Sequence, residues 1–149
     1  ATLERTRKMF NRLFGKPREV RTKIGFGDAV DRLSIFEIKV SRLTGEDRDI
    51  SRVGFVQLRD DLHRAGVDPL KVDEYSRLLK VNSQLWDIED SIRLLGRIVF
   101  GNVHGLDDTL QEFMQLARQI YILNDKRSEL KSSIDERLGT RVKEVKSYK

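Results

Sequence analysis

The densest group of chemically capable side chains lies in a stretch that holds the chain's only tryptophan. Trp86 is followed by the carboxylates Asp87, Glu89 and Asp90, so acidic groups could stand beside an aromatic platform. A general acid–base site also needs a second carboxylate brought opposite by the fold and a cleft to isolate it, and the sequence shows neither. The plainer interpretation is a helix with one apolar and one solvated side, in which Glu89 and Arg93 form an i,i+4 ion pair.

Two charged residues fall where helical periodicity predicts apolar neighbours. Glu37 lies inside the apolar stripe of a helix predicted over about residues 28–43. Arg127 occupies a seam position of a later helix. Since an unpaired buried charge is strongly unfavourable, we expect Glu37 and Arg127 to meet or to share a wider network. The residues that could join that network are Glu89, Asn124, Asp125 and Lys131.

Three interpretations of these polar residues stay open. They form an internal ion-pair network that fixes helix register, or both charges reach solvent. Alternatively, they line the pocket of a ligand-binding or enzymatic accessory domain for a small anionic sugar or nucleotide. The candidate cluster or pocket consists of Glu37, Trp86, Glu89, Asn124, Asp125, Arg127 and Lys131.

Cofactor and metal chemistry have little basis in the sequence. The chain has no cysteine, so thiolate ligands, thiol nucleophiles and disulfides are excluded. His63 and His104 stand alone, without partners at ligand spacing. The glycines of Gly25-Phe26-Gly27 lack the third glycine of a phosphate-binding loop. We therefore expect no catalytic, cofactor or metal site, and the sequence leans towards a non-enzymatic protein without deciding the point.

The elements that must position these residues are predicted to be helices. The chain has 149 residues, of which 36% are charged and 38% hydrophobic, with only two prolines, a composition typical of a mostly helical domain with one core. Periodicity and glycine or proline stops predict four helices, at about residues 28–43, 49–65, 68–100 and 107–138. The third helix carries an unbroken a/d seam of Leu78, Val81, Leu85, Ile88, Ile92, Leu95 and Val99.

The last two predicted helices are joined by only a few residues near Gly101–Gly105, which predicts an antiparallel hairpin. The expected fold class is all-α, a helical bundle built on this long hairpin. A short β pairing between residues 20–26 and 142–148 is a further possibility, because both segments lean towards extended structure. We expect a single helical domain over residues 19–149, preceded by an extension over residues 1–18.

That extension is basic and amphipathic. Residues 1–23 carry eight lysines and arginines against two glutamates, a net charge of +6. Residues 3–14 predict a helix with an apolar and a basic flank, typical of helices that dock on anionic surfaces. Its candidate docking residues are Arg5, Lys8, Phe10, Arg12 and Phe14.

Three kinds of partner follow from these patterns. The basic termini predict an anionic membrane surface or nucleic acid. Ile35 and Ile38 lie opposite the main stripe of their helix, so that helix is either central in the bundle or part of a protein interface, including a homodimer. No apolar run is long enough to span a bilayer and the first residues lack a signal-peptide core. We expect an interaction or scaffold domain that is cytoplasmic, either free or bound peripherally to a membrane.

Four ordered stretches carry a family resemblance: 27-GDAVDRLSIFEIK-39, 85-LWDIEDSIR-93, 124-NDKRSELK-131 and 144-EVKSY-148. Together they resemble a bacterial domain-of-unknown-function family, number 6165, over about residues 19–148. The resemblance implies a small helical cytoplasmic domain, some of whose members lie near or within proteins of sugar transfer or surface polysaccharide, and it implies no activity. Arg32 and Phe36 replace the family's lysine and aliphatic residue. The motif residues correspond here to Asp31, Glu37, Lys39, Trp86, Glu89, Asn124, Asp125, Arg127 and Lys131.

Overall fold

The structure is a computed structural model that describes residues 2–14, 20–101 and 107–140. Regular structure in these ranges is entirely helical, which confirms the all-α class. The helices are α1 (Thr2–Phe14), α2 (Phe26–Arg42), α3 (Gly45–Arg64), α4 (Glu74–Phe100) and α5 (Asp107–Leu138), with a 3-10 turn at Pro69–Lys71. Residues 20–25 have no regular structure, and their predicted pairing partner, residues 142–148, lies outside the described residues.

Helix α3 ends in a Schellman motif. The amide of Gly66 donates to the carbonyl of His63 at 2.9 Å, and the amide of Val67 donates to that of Leu62 at 2.9 Å. Gly66 has a φ of 84°, a conformation that a residue without a Cβ adopts at little cost. The predicted glycine stop therefore acts through backbone hydrogen bonds, and it turns the chain so that both Leu62 and Val67 enter the core.

Three helix starts differ from expectation. Helix α3 begins at Gly45, before the predicted start at about residue 49. Helix α2 begins at Phe26 with Gly25 as its N-cap, since the carboxylate of Asp28 pairs with Lys131 and does not cap the helix. The helix predicted to run unbroken from about residue 68 is divided. Asp68 does cap its turn, accepting from the amide of Leu70 at 3.1 Å, but that turn is a 3-10 turn and α4 begins only at Glu74.

Helix α2 is the centre of the bundle and contacts α3, α4 and α5. Two explanations were open for the second apolar side of α2: a central position in the bundle or a protein interface. Ile38 is only 3% exposed, and the central position of α2 accounts for its burial. The core cluster unites Ala29, Val30, Leu33, Leu62, Val67, Val72, Tyr75, Leu78 and Ile134.

Helices α4 and α5 pack against each other and run in opposite directions. Arg137, near the end of α5, pairs with Glu74 at the start of α4. Phe113, early in α5, meets Phe100 at the end of α4 with ring centroids 5.7 Å apart. The buried residues of α4 stop at Leu85. Beyond them, residues 88–100 of α4 and 108–123 of α5, here called the arm, contain no fully buried side chain.

Candidate functional site

The carboxylate partner of Arg127 is Asp31 on α2. Arg127 Nε donates to Asp31 Oδ1 at 2.8 Å, and Nη2 donates to Oδ2 at 2.6 Å. This is the two-pronged geometry that a planar guanidinium offers a carboxylate. Asp31 is 2% exposed, whereas the side chain of Arg127 remains 30% exposed. The buried member of the pair is therefore the anion, and Arg127 supplies its neutralising charge.

Two further polar residues complete this group, here called the Asp31 cluster: Asp31, Ser34, Asn82 and Arg127. Asn82 Nδ2 on α4 donates to Asp31 Oδ1 at 2.9 Å and to Ser34 Oγ at 2.8 Å. Ser34 Oγ donates to the carbonyl of Asp31 at 2.7 Å. Because buried polar groups must find partners inside the protein, the cluster joins α2, α4 and α5 at one fixed rotation of each helix.

A second buried carboxylate lies at the base of the long helices. Glu74 is 4% exposed; it accepts from Ser133 Oγ at 2.9 Å and pairs with Arg137. Burial alone would raise the pKa of Glu74, but its own backbone hydrogen bond, the Ser133 hydroxyl and Arg137 together outweigh burial, and the pKa is lowered below its usual value. Glu74 is therefore held in its ionised form.

The start of α2 is fastened to the end of α5. Lys131 Nζ pairs with Asp28 Oδ1 at 2.6 Å, and the amide of Gly27 donates to Asp135 Oδ1 at 2.8 Å. A Cβ at Gly27 would overlap the carbonyl oxygen of Lys131. The two backbones thus approach each other more closely than any residue with a side chain allows.

The hydrogen-bond partner of Glu37 is Tyr75. The carboxylate of Glu37 accepts a hydrogen bond from the hydroxyl of Tyr75 on α4. Burial first, and then Glu37 through its hydrogen bond and charge, raise the pKa of the Tyr75 hydroxyl far above its usual value. The expectation that Glu37 and Arg127 meet is therefore not what the structure shows: the aspartate six residues earlier is the arginine's partner.

Three contacts involve the residues around Trp86. Arg42, at the end of α2, lies over the ring of Trp86 at 5.8 Å from its centroid and pairs with Asp87. The side-chain hydrogen bond with Arg42 lowers the pKa of Asp87. Glu89 pairs with Arg93 at 3.3 Å, the expected i,i+4 pair.

The seven candidate residues are thus divided among separate contacts. Asn124 donates to the carbonyl of Ile120 in its own helix at 3.1 Å, and Asp125 is exposed. Glu37, Trp86, Arg127 and Lys131 have the different partners described above. A cleft of about 610 Å³ between residues 22–26 and the ends of α3 and α5 is lined by none of the seven.

The sequence reasoning missed Asn82, Ser34, Glu74 and Arg137 as members of buried polar contacts, and it reached Asp31 only through the family resemblance. A signal existed for two of them. Gly27, Asp31, Ser34 and Ile38 recur at spacings of four, three and four, which places them on one side of α2. All four are buried. This polar stripe beside the apolar one marks the side of α2 that faces the long helices.

The described residues contain no group of three or more histidines, cysteines or carboxylates that could hold a metal ion. His63 Nε2 lies 3.6 Å from Asp68 Oδ1, and His104 falls outside the described residues. Among the helices that the structure describes, none is long and apolar enough to cross a membrane.

The described part of the chain is therefore an all-helical bundle whose central helix is tied to its neighbours by buried ion pairs and hydrogen bonds. No protein-family model, curated protein or solved structure matches the chain.

Proposed function

We propose that the chain is a non-enzymatic helical interaction domain that docks on an anionic membrane surface through α1. The observation that carries the proposal is the exposure of both flanks of this helix. Leu3 and Met9 are 64% and 62% exposed, and Arg5, Lys8 and Arg12 are exposed as well. A helix with bare apolar and basic flanks is suited to lie in the plane of an anionic interface.

The basic residues of α1 gather on one flank. At 100° per residue, Arg5, Lys8 and Arg12 fall within about 60° of one another; Leu3 lies roughly opposite them, and Met9 lies at the border of the basic flank, about 40° from Arg5. The pair between Glu4 and Lys8, 3.0 Å long, is exposed at both ends and so is weakened by solvent screening. The side chains of Phe10 and Phe14 lie outside the described part of the chain.

A second basic surface supports docking to an anion. Arg21, Arg32 and Arg64 line one cleft of about 790 Å³. Arg64 pairs with Asp61, but Arg21 and Arg32 have no ion-pair partner in residues 2–14, 20–101 and 107–140. Uncompensated cations beyond α1 add to the attraction that an anionic surface exerts on the chain.

The remainder of the chain serves as the scaffold in this proposal. We infer that α4 and α5 form a helical hairpin, that residues 19–149 are one domain, and that residues 1–18 are its docking extension. The resemblance to domain-of-unknown-function family 6165 and a cytoplasmic, membrane-peripheral location belong to the same proposal.

Vesicle flotation tests the docking helix. We expect the protein to float with vesicles of phosphatidylglycerol and phosphatidylcholine, to lose flotation as salt rises, and not to float with phosphatidylcholine alone. The variant Leu3→Ser/Met9→Ser keeps every charge and should no longer float. Flotation of this variant at the wild-type level would overturn the proposal.

A charge series completes the test. The variant Arg5→Gln/Lys8→Gln/Arg12→Gln should lose flotation. The control Arg48→Gln/Arg77→Gln/Lys126→Gln removes three exposed cations from other helices and should float. If both triple variants lose flotation equally, net charge and not α1 is responsible. If wild-type protein instead binds duplex nucleic acid with a steep salt dependence and does not float, nucleic acid is the partner.

A further inference from the structure

The arm has one side on which large apolar side chains are left in solvent. Phe100 is 77% exposed, Met114 63%, Tyr121 57% and Leu110 41%. Single exposed apolar residues are ordinary on a protein surface, but a contiguous group of large ones marks an interaction surface.

The exposed residues of α5 form a regular stripe. Leu110, Met114, Ala117 and Tyr121 recur at spacings of four, three and four, the pattern with which a helix packs against another helix. The seam that faces α4, through Phe113 and the residues that follow it at helical spacing, lies about 100° away around the helix. Helix α5 therefore carries two neighbouring apolar stripes in the arm, of which α4 covers one.

The base of the bundle shows how the second stripe is covered elsewhere. There α2 packs against both long helices, and Lys131 and Asp135, which extend the same side of α5, contact its first residues. Helix α2 ends at Arg42, whose guanidinium lies over Trp86, just before the arm begins. The arm is thus a two-helix ribbon that continues past the end of the third helix, and its second stripe lacks the layer that α2 provides below.

We infer that this stripe packs against the same stripe of a second copy of the chain, so that two arms form a four-helix bundle. The stripe itself holds no charged residue, and the charges of α4 in the arm, Glu89, Asp90, Arg93 and Arg97, sum to zero. An identical surface is therefore not repelled. A two-fold arrangement, the commonest in homo-oligomers, then places this uncharged stripe against itself. A membrane or nucleic acid would instead require a net positive face.

The size of the face sets the strength of the association. The stripe from Leu110 to Tyr121 is about 17 Å long at 1.5 Å per residue, and two helices side by side are about 20 Å wide. A face of that size buries on the order of 1,000 Å² in total, at the low end for specific complexes. The dimer is therefore expected to dissociate on dilution.

Mass in solution tests the inference. Sedimentation velocity over a roughly hundredfold range of concentration should show the mass rising from the 17.4 kDa of one chain towards twice that value. The variant Met114→Glu/Tyr121→Glu should stay at 17.4 kDa with an unchanged helical circular dichroism spectrum. The matched control Ile50→Glu/Val53→Glu changes two equally exposed residues of α3, 59% and 65%, and should still dimerise.

A wild-type mass of 17.4 kDa at every concentration, or dimerisation that survives Met114→Glu/Tyr121→Glu, would overturn the inference. Flotation through α1 is a separate readout, so either proposal can fail while the other stands.

Discussion

Arg127 holds both carboxylate oxygens of Asp31, a residue 96 positions earlier in the chain, and the carboxylate is the more deeply buried partner. This pair joins the central helix α2 to the last helix α5, and Asn82 joins α4 to the same oxygen. Three helices of the bundle, α2, α4 and α5, therefore meet at one anion. Its removal or neutralisation is the most direct way to measure what the Asp31 cluster contributes.

Arg127→Met should lower the free energy of unfolding by about 3 kcal/mol, because it leaves Asp31 buried without its counter-charge. Arg127→Lys keeps the charge but cannot reproduce the two-pronged contact, so its loss should be intermediate. Urea denaturation followed by Trp86 fluorescence measures both. Arg118→Met, at an exposed position of the same helix, is the control and should change stability by less than about 0.5 kcal/mol.

The double variant Asp31→Leu/Arg127→Met separates the charge from the shape of the site. It removes both ions, so it should be more stable than Arg127→Met alone. A double variant that is less stable than either single variant would show that the pair is not coupled as the structure indicates.

Stability should fall in acid through Glu74. The pKa of Glu74 in the folded protein lies below its usual value of 4.5, so its contribution is fully present above about pH 4.5 and is lost as pH falls through the folded pKa. Glu74→Gln should therefore lose stability at neutral pH and show a shallower decline below pH 4.5 than wild type. Glu129→Gln changes an exposed glutamate of α5 and should follow the wild-type curve; identical acid limbs for all three proteins would contradict the assignment.

Gly27→Ala should destabilise the fold by about 2 kcal/mol, since the new methyl group would force the start of α2 away from the backbone of α5. Gly96→Ala is the control and should stabilise the fold slightly. A Cβ at Gly96 meets only the ring edge of Phe113 at 3.5 Å, an ordinary contact, and alanine is the better helix former by about 0.5–1 kcal/mol. Thermal or urea denaturation measures the stability of both variants. If Gly96→Ala destabilises the protein and Gly27→Ala does not, the packing described for Gly27 is refuted.

The helices were predictable because their signals are local. The glycine after α3 and the capping carboxylate of Asp68 act through hydrogen bonds within a few residues, and the structure contains both. The a/d spacing of α4 likewise places Leu78 and Leu85 in the core. The same local rules place the end of α3, where sequence and structure agree to within one residue.

The partners within the site were less predictable because they depend on how one helix is rotated against another. Asp31 and Glu37 lie on the same helix about 120° apart, and either could reach α5 as far as spacing reveals. Packing of Val30 and Leu33 into the core fixes the rotation and turns Asp31 towards Arg127. Glu37 is then directed to Tyr75, a residue whose hydroxyl gave no sequence signal.

The order in which the chain emerges during synthesis adds a consequence of the Asp31 cluster. Asp31 appears early, Asn82 follows 51 residues later, and Arg127 follows 96 residues later. Until the ribosome has released α5, Arg127 is absent and burial of the aspartate is unfavourable, which opposes the packing of α2 against α4. Completion of the bundle thus waits for the last helix, and a nascent fragment that ends before Arg127 would remain open to chaperones and proteases.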